Sequence, residues 1–296
     1  MFTKENVVYS TAFGKMIKGK CEDILPTLGS NETGKANLIL TSPPFPLNRA
    51  KKYGNMTGDE YLKWIESLAS TFTSALQDDG SIVMEIGNAW EPHLPIQSTL
   101  PMEALLAFKK AGGLNLCQEF IHYNPARLPA PIEYVNKQRI RVKDSFTRIW
   151  WLSKSVHPKA NNRNVLEEYS RQMKKLISTG KYNPGSRPSE YVIGETSFLK
   201  NNGGAIPGNV IIASNTSSTD QYLDYCRNNC LEIHPARMPR AIPEFFIKLL
   251  TDENDLVVDP FAGSNTTGFI AEKLKRQWLS IEIEEKYIEG SRGRFA

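Results

Sequence analysis

Ala36-Asn37-Leu38-Ile39-Leu40 runs directly into Thr41-Ser42-Pro43-Pro44-Phe45. An apolar run this short, closed by paired prolines, is a buried strand that stops abruptly at a sheet edge. Pro43 and Pro44 have no N–H, and each steers the residue before it away from helix, so the backbone is stiff and extended with free carbonyls. Ser42 adds a hydroxyl and Phe45 an aromatic face. A rigid carbonyl, a hydroxyl and a stacking ring suit the capture of a flat, amine-bearing ring by its edge and its face.

Strand and helix patterns alternate along the rest of the chain. Before the motif, Ile17, Ile24, Leu25 and Leu28 are expected in the core and 29–31 in a turn. After it, Thr57 and Glu60 form a capping-box pattern. Tyr61, Trp64, Ile65, Leu68, Phe72 and Leu76 then recur at helical spacing, which gives a helix covering a sheet face. Asp79-Gly80 is read as a turn into a buried strand over 81–86. A helix over 102–110 and strands over 120–123 and 146–152 come next. From 153 to 209 the pattern dissolves: Pro, Gly, Asn and Ser become frequent among scattered Arg163, Arg171, Lys174, Lys175, Lys181 and Arg187. This segment is expected to be an insertion carrying substrate contacts. Regular structure resumes at 210–213, then a helix over 244–250, a strand over 256–258, a helix over 266–274 and a strand over 278–283. The alternation predicts a parallel-type α/β sheet, with 1–152 and 210–296 forming one domain around the inserted 153–209.

Bulk properties narrow the class. A chain of 296 residues can bury a full core, and 40% apolar with 23% charged residues is ordinary for a soluble enzyme. A net charge of +4 means that affinity for a polyanion must come from local clusters. No apolar run approaches the roughly 18 residues of a membrane span, and the N-terminus lacks a signal-peptide pattern. The four cysteines are scattered and give no disulfide framework, so the cytoplasm is the expected compartment.

A second chemical segment lies far downstream, at Leu256-Val257-Val258-Asp259-Pro260-Phe261-Ala262-Gly263-Ser264-Asn265-Thr266-Thr267-Gly268. A buried strand ends in a carboxylate, and a loop of small residues opens a helix whose N-terminal N–H groups are open to an anion. The loop is not G-x-G-x-x-G and lacks the lysine of a phosphate-binding loop, which argues against dinucleotides and nucleoside triphosphates. Glu282 ends the next strand 19 residues beyond Gly263, near the spacing at which an acid meets ribose hydroxyls. A nucleoside that carries an amino acid satisfies these features, and S-adenosylmethionine is such a molecule.

The two segments together resemble the amino-methyltransferases of bacterial restriction-modification systems. Within them the chain is similar to the β group, in which the catalytic motif precedes the cofactor motif. The resemblance extends through Asn124-Pro125, Ile140-Arg141-Val142-Lys143-Asp144, Asn202-Gly203-Gly204 and His234-Pro235-Ala236-Arg237, nearly the whole chain. It implies a doubly wound, mixed α/β sheet of the class I S-adenosylmethionine-dependent type, circularly permuted, with an inserted target-recognition region. It also implies that Ser42, Pro43, Pro44 and Phe45 act on the base. Asp259, Pro260, Phe261, Gly263, Ser264, Asn265, Thr266, Glu282, His234 and Pro235 would surround the cofactor. Serine at position 42 is the form found in N4-cytosine enzymes, whereas N6-adenine enzymes usually carry Asp or Asn. Two departures stand out. Gly19-Lys20-Cys21 replaces the usual Gly-Asp-Ser, with Asp23 nearby as a substitute, and Arg187-Pro188-Ser189 lacks the Gly-His found next in relatives.

The activity this implies is methylation of cytosine N4 in double-stranded DNA, protecting host DNA beside a cognate restriction endonuclease, by a monomer. The target base must leave the duplex to be reached, and Phe45 would stack on it. Lys137, Arg139, Arg141 and Lys143 alternate at period two, so an extended backbone would point all four at phosphate; the plain alternative is a solvated edge strand. Arg49, Lys51, Lys52 and Arg187 are further candidates for DNA contact. Cys226, Cys230 and His234 have helical spacing but supply only three ligands, so no metal is expected. No cysteine follows a proline, as covalent C5-cytosine chemistry would need. N6-adenine methylation, an RNA or protein N-methyltransferase and a silent DNA-binding module are the competing readings.

Overall fold

The alternation resolves into a mixed sheet of nine strands in the computed structural model, which describes residues 6–29, 34–45, 56–181, 185–186, 188, 192–194, 198–214 and 220–296. A hairpin of β1 (Val7–Ser10) and β2 (Gly14–Lys18) leads through α1 (Cys21–Ile24) to β3 (Ala36–Thr41), the run that ends at the prolines. Then come α2 (Gly58–Ala75), β4 (Leu76–Gly87), α3 (Leu100–Ala111), β5 (Asn115–Tyr123) and β6 (Phe146–Ser153). A separate compact unit, Asn161–Gly208, holds α4 (Arg171–Thr179) and the paired two-residue strands β7 (Gly185–Ser186) and β8 (Val192–Ile193). Inside that unit Ser170 caps α4 by accepting from Met173 N–H, and Glu167 bridges Ala205. The main unit resumes with β9 (Val210–Ile212), α5 (Gln221–Asn228), α6 (Ala241–Leu250), β10 (Leu256–Asp259), α7 (Thr266–Lys273), β11 (Gln277–Glu282) and α8 (Glu285–Ser291).

Strand order is β1-β2-β11-β10-β3-β4-β6-β5-β9. β3 pairs in parallel with β10 on one side and β4 on the other, whereas β6 runs antiparallel to both β4 and β5. From β3 the chain crosses through α2 to β4; from β10 it crosses through α7 to β11, on the opposite side. The two connections therefore diverge from adjacent strands, and a doubly wound sheet opens its ligand crevice at the carboxyl ends of such a pair. The first of these strands comes early in the chain and the second late, which is the permuted order.

Alternate residues of each strand face α2 and α3. Ile39, Ile82, Met84, Val258, Leu279 and Ile281 form one core with Tyr61, Ile65, Leu68, Phe72 and Phe108. Burying each of the larger of these contributes roughly 1.5–3 kcal/mol. Ile17, Ile24, Leu25 and Leu28 join the same core, as their apolar character predicts.

Three local expectations change. Thr57 sits at the N-cap of α2, but its side chain makes no capping hydrogen bond. Leu76 does not extend the helix; it starts β4, where it pairs with Ala36. Asp79-Gly80 is not a turn but lies inside β4, where the register slips from Ala36↔Leu76 to Leu38↔Ser81. Lys154 Nζ, bonded to Leu76 O and Asp78, stitches this bulge down.

Candidate active site

The β3 and β10 ends are joined by one buried carboxylate. Asp259 Oδ1 accepts from Thr41 Oγ1 at 2.8 Å and from Phe261 N–H at 3.2 Å, and Oδ2 accepts from Thr267 Oγ1 at 2.6 Å. Burial pushes its carboxyl up to about 6, because these donors only partly replace lost hydration. Its oxygens are thus committed to holding the two motifs together.

Ser42 through Phe45 leave the sheet edge at this point. Ser42 Oγ donates a long, weak bond to Glu85 O at 3.4 Å, which turns the hydroxyl proton toward β4 and leaves the oxygen lone pairs to accept. Phe45 packs its ring against the backbone of Gly87, where an added Cβ would lie 2.5 Å from Phe45 Cδ2. Pro43 is buried, and Ser42, Pro44 and Phe45 are half-buried.

On the β10 side, Glu282 is a half-buried carboxylate whose Oε2 accepts from Gly263 N–H at 2.7 Å and whose Oε1 accepts from Ile283 and Glu284 N–H. Desolvation raises its pKa against these three bonds. A carboxylate offers about four lone-pair sites, so one remains for a ligand hydroxyl. Gly263 adopts φ +50°, and an added Cβ would meet His234 Nε2 at 2.8 Å, so the imidazole rests directly on this backbone. His234 also meets the Tyr287 ring edge-on at 4.4 Å, and burial holds it neutral with a pKa of about 4. Pro235 is exposed and Pro260 buried.

The small-residue loop is braced by distant parts of its own chain. Ser264, Asn265 and Thr266 are all buried. Asn265 Oδ1 caps α7 by accepting from Gly268 N–H and also receives Ser280 Oγ, while its Nδ2 donates to Tyr9 Oη. Arg294 donates to Ser264 O at 2.5 Å and Ser264 Oγ at 3.0 Å. One N–H of the α7 N-terminus, that of Gly268, is thus taken by the Asn265 cap. In front, Phe261 meets Trp64 edge-on, and Trp64 Nε1 donates to Glu22. Lys20 and Asp23 are exposed, so Glu22 is the carboxylate nearest this aromatic wall.

Residues the sequence did not single out complete the surroundings. His122 Nδ1 contacts Glu85 Oε1 at 2.9 Å, Thr147 Oγ1 donates to the same oxygen at 2.7 Å, and His122 Nε2 donates to Ala213 O at 3.0 Å. Arg294 and Asp220 form a buried ion pair behind the cofactor loop. A lone apolar-flanked His or an arginine such as Arg294 carries no local signal for such contacts.

The cations fare differently. Arg49, Lys51, Lys52 and Arg187 lie outside the described residues. Lys137, Arg139, Arg141 and Lys143 are exposed but not on a strand: 133–137 form a single π-helical turn and Arg139 has φ +56°. Arg141 donates to Pro95 O and Lys143 to Pro125 O, so alternation does not align the four. Among the described residues no group of three or more His, Cys, Asp or Glu could hold a metal ion.

A family model named N6_N4_Mtase and described as DNA methylase matches residues 36–292. The chain is 44% identical over 289 residues to the type II methyltransferase M.PvuII of Proteus hauseri, covering 97% of this chain and 85% of that one. It is 25% identical to M.BglII of Bacillus subtilis, over 93% of this chain and 67% of the relative. Among solved structures it resembles the PvuII DNA methyltransferase (cytosine-N4-specific), with TM-score 0.78, 36% identity, and coverage of 98% and 89%. The M1.HpyAVI–SAM complex shares the fold at TM-score 0.54 and 17% identity, covering 95% and 99%.

Proposed function

The chain belongs to the N6/N4 DNA methylase family, and from that premise we propose a site-specific DNA methyltransferase that modifies the exocyclic N4 of cytosine as part of a restriction-modification system. The observation that carries this reading is the Thr41–Asp259 clasp. It sets a Ser-Pro-Pro-Phe edge beside the cofactor loop, and serine is the residue at the head of that edge.

The residues fit S-adenosylmethionine. Glu282 retains an acceptor site for a ribose hydroxyl, and Phe261 with Trp64 offers an aromatic wall for adenine. Neutral His234 and the Glu282 carboxylate suit a cofactor without phosphates better than a polyphosphate. Asp259, Pro260, Phe261, Gly263, Glu282, His234 and Pro235 would line it, with Ser264, Asn265 and Thr266 bracing the loop. When bound, the cofactor supplies a methyl group on an electrophilic sulfur.

The chain's own work is positioning. An exocyclic cytosine amine is a weak nucleophile because its lone pair is delocalised into the ring. The Pro43 carbonyl and the Ser42 oxygen accept its two N–H bonds, which orients the nitrogen and returns electron density to it. Ser42 is not a strong base; the methylated ammonium is acidic enough to lose its proton readily. Phe45, fixed on Gly87, stacks on a cytosine turned out of the duplex. The unit 161–208 reads the target, and exposed Lys137, Arg139, Arg141 and Lys143 meet phosphate singly. We further place the enzyme in the cytoplasm as a monomer, with a cognate endonuclease that forms no stable complex with it. Mass spectrometry of nucleosides from treated DNA tests the reading: N4-methylcytosine is expected, and N6-methyladenine alone overturns it.

A further inference from the structure

Between β5 and β6 the chain makes an excursion over 124–145 whose construction is inverted for a surface loop. Its backbone is braced from within: Asp144 N–H donates to Ala130 O at 2.9 Å, Ile140 N–H to Tyr134 O at 2.9 Å, and Arg127 Nη1 to Phe146 O at 3.0 Å. Its apolar groups turn outward, with Ile132 61% and Val142 87% exposed. The Asp144–Ala130 and Ile140–Tyr134 bonds tie the two ends of the excursion to each other, around the single π-helical turn 133–137. At the turn stand exposed Lys137 and Arg139. Lys137 holds Glu133 at 2.8 Å in an exposed pair, which is worth little and exchanges readily for another anion.

The excursion rises from the edge that bears Ser42. β6 pairs Thr147 with Gly87, β4 pairs Met84 with Thr41, and Asn88 Nδ2 bonds both Asp144 Oδ1 and Phe146 O. Over 124–145 five cations stand against two acids. A braced ridge of exposed branched aliphatics tipped by cations, beside a pocket for an extruded base, is complementary to a duplex that has lost one base from its stack.

We propose that this excursion is a DNA wedge: Ile132 and Val142 enter the stack at the target step and fill the gap left by the flipped cytosine, while Lys137 and Arg139 hold flanking phosphates. The inference rests on the DNA-methyltransferase reading. Apolar side chains in the gap offset part of the unstacking cost and slow return of the base.

The test compares the parent protein with I132A/V142A on two duplexes that carry its modification site, mapped beforehand by sequencing plasmid methylated by the parent. One duplex is fully paired; the other has an abasic site opposite the target cytosine. Removing the wedge is expected to lower kcat/KM about 10-fold or more on the paired duplex but less than about 3-fold on the abasic one, where extrusion is already cheap. Thermal stability and cofactor affinity should not change, since both side chains are exposed. Equal losses on the two duplexes, or no loss on the paired one, overturn the wedge. The parent's own yield of N4-methylcytosine on the paired duplex judges the underlying reading separately.

Discussion

Thr41 Oγ1 donates to Asp259 Oδ1 at 2.8 Å across 218 residues of chain, and through that bond the two motifs become one site. Because Asp259 is raised to about 6 by burial, its proton is held more tightly in the folded chain than in the unfolded one. This group therefore stabilises the fold at low pH, and the contribution is lost as pH climbs from near 4, where the unfolded carboxyl ionises, through 6. D259N has no such titration. Relative to wild type, its unfolding free energy should rise by about 3 kcal/mol between pH 4 and pH 7, two pKa units at about 1.4 kcal/mol each. Paired urea melts at the two pH values measure the difference.

Ser42→Ala should keep cofactor affinity and lose turnover. The hydroxyl's hydrogen-bond partner is Glu85 O, on β4. Losing one positioned acceptor at the amine should lower kcat by roughly 10²-fold. Calorimetry with the cofactor and single-turnover methylation separate the two effects; a matching loss of affinity contradicts the assignment.

Gly263→Ala should damage binding and folding together. At φ +50° a side chain is strained by about 1 kcal/mol or more, and its Cβ would meet His234 Nε2 at 2.8 Å. The expected result is at least 10-fold weaker cofactor binding, since each 1.4 kcal/mol is a factor of ten. Adding H234A removes the clash but not the strain and also takes away a residue assigned to the cofactor, so the melting temperature should recover in part while calorimetry still shows weak binding.

Arg294 is 3% exposed, and burial lowers its pKa to about 10, so it stays charged at neutral pH. It grips Ser264 through both backbone and side chain and pairs with Asp220. R294M should loosen the cofactor loop and leave Asp220 to Arg240 and Arg237. A loss of about 1–3 kcal/mol in cofactor binding is expected from the missing charged hydrogen bonds, read by calorimetry.

How far the sequence reached depends on the range of each contact. Strands β3, β4, β10 and β11 were legible because apolar runs with abrupt ends are local signals. That the two motifs meet in one site followed from the family resemblance, whereas the direct pairing of β3 with β10 came only from the structure. The β1–β2 hairpin, α5 and α8 were not anticipated, since their stability comes from neighbours such as Tyr222 against Arg294 and Tyr9 against Ser291. Alternating cations at 137–143 misled because period two implies a strand only where a ladder partner exists, and this segment has none among the described residues. Ser264 to Thr266 were named from the sequence, but what holds them (Arg294, Tyr9 and Ser280) lies too far along the chain for spacing to reveal.

The Glu85–His122 pair argues for a final outcome. Ala213 O can only accept, so His122 Nε2 carries a proton, and Nδ1 lies 2.9 Å from Glu85 Oε1. Burial works to lower the His122 pKa, but the hydrogen bond and charge of Glu85 outweigh it and the net direction is upward. A raised histidine stabilises fully below its unfolded pKa, about 6.5, and that contribution fades as pH rises through the higher folded value. H122A strands a buried carboxylate and should cost about 3–5 kcal/mol at pH 6, whereas E85L/H122L removes both charges and should cost far less. Urea unfolding of the single and double variants at pH 6 and pH 9 tests this. Because Glu85 O also receives Ser42, H122A should lower kcat more than it alters cofactor affinity; equal unfolding costs for the single and double variants would show that the pair is not ionic.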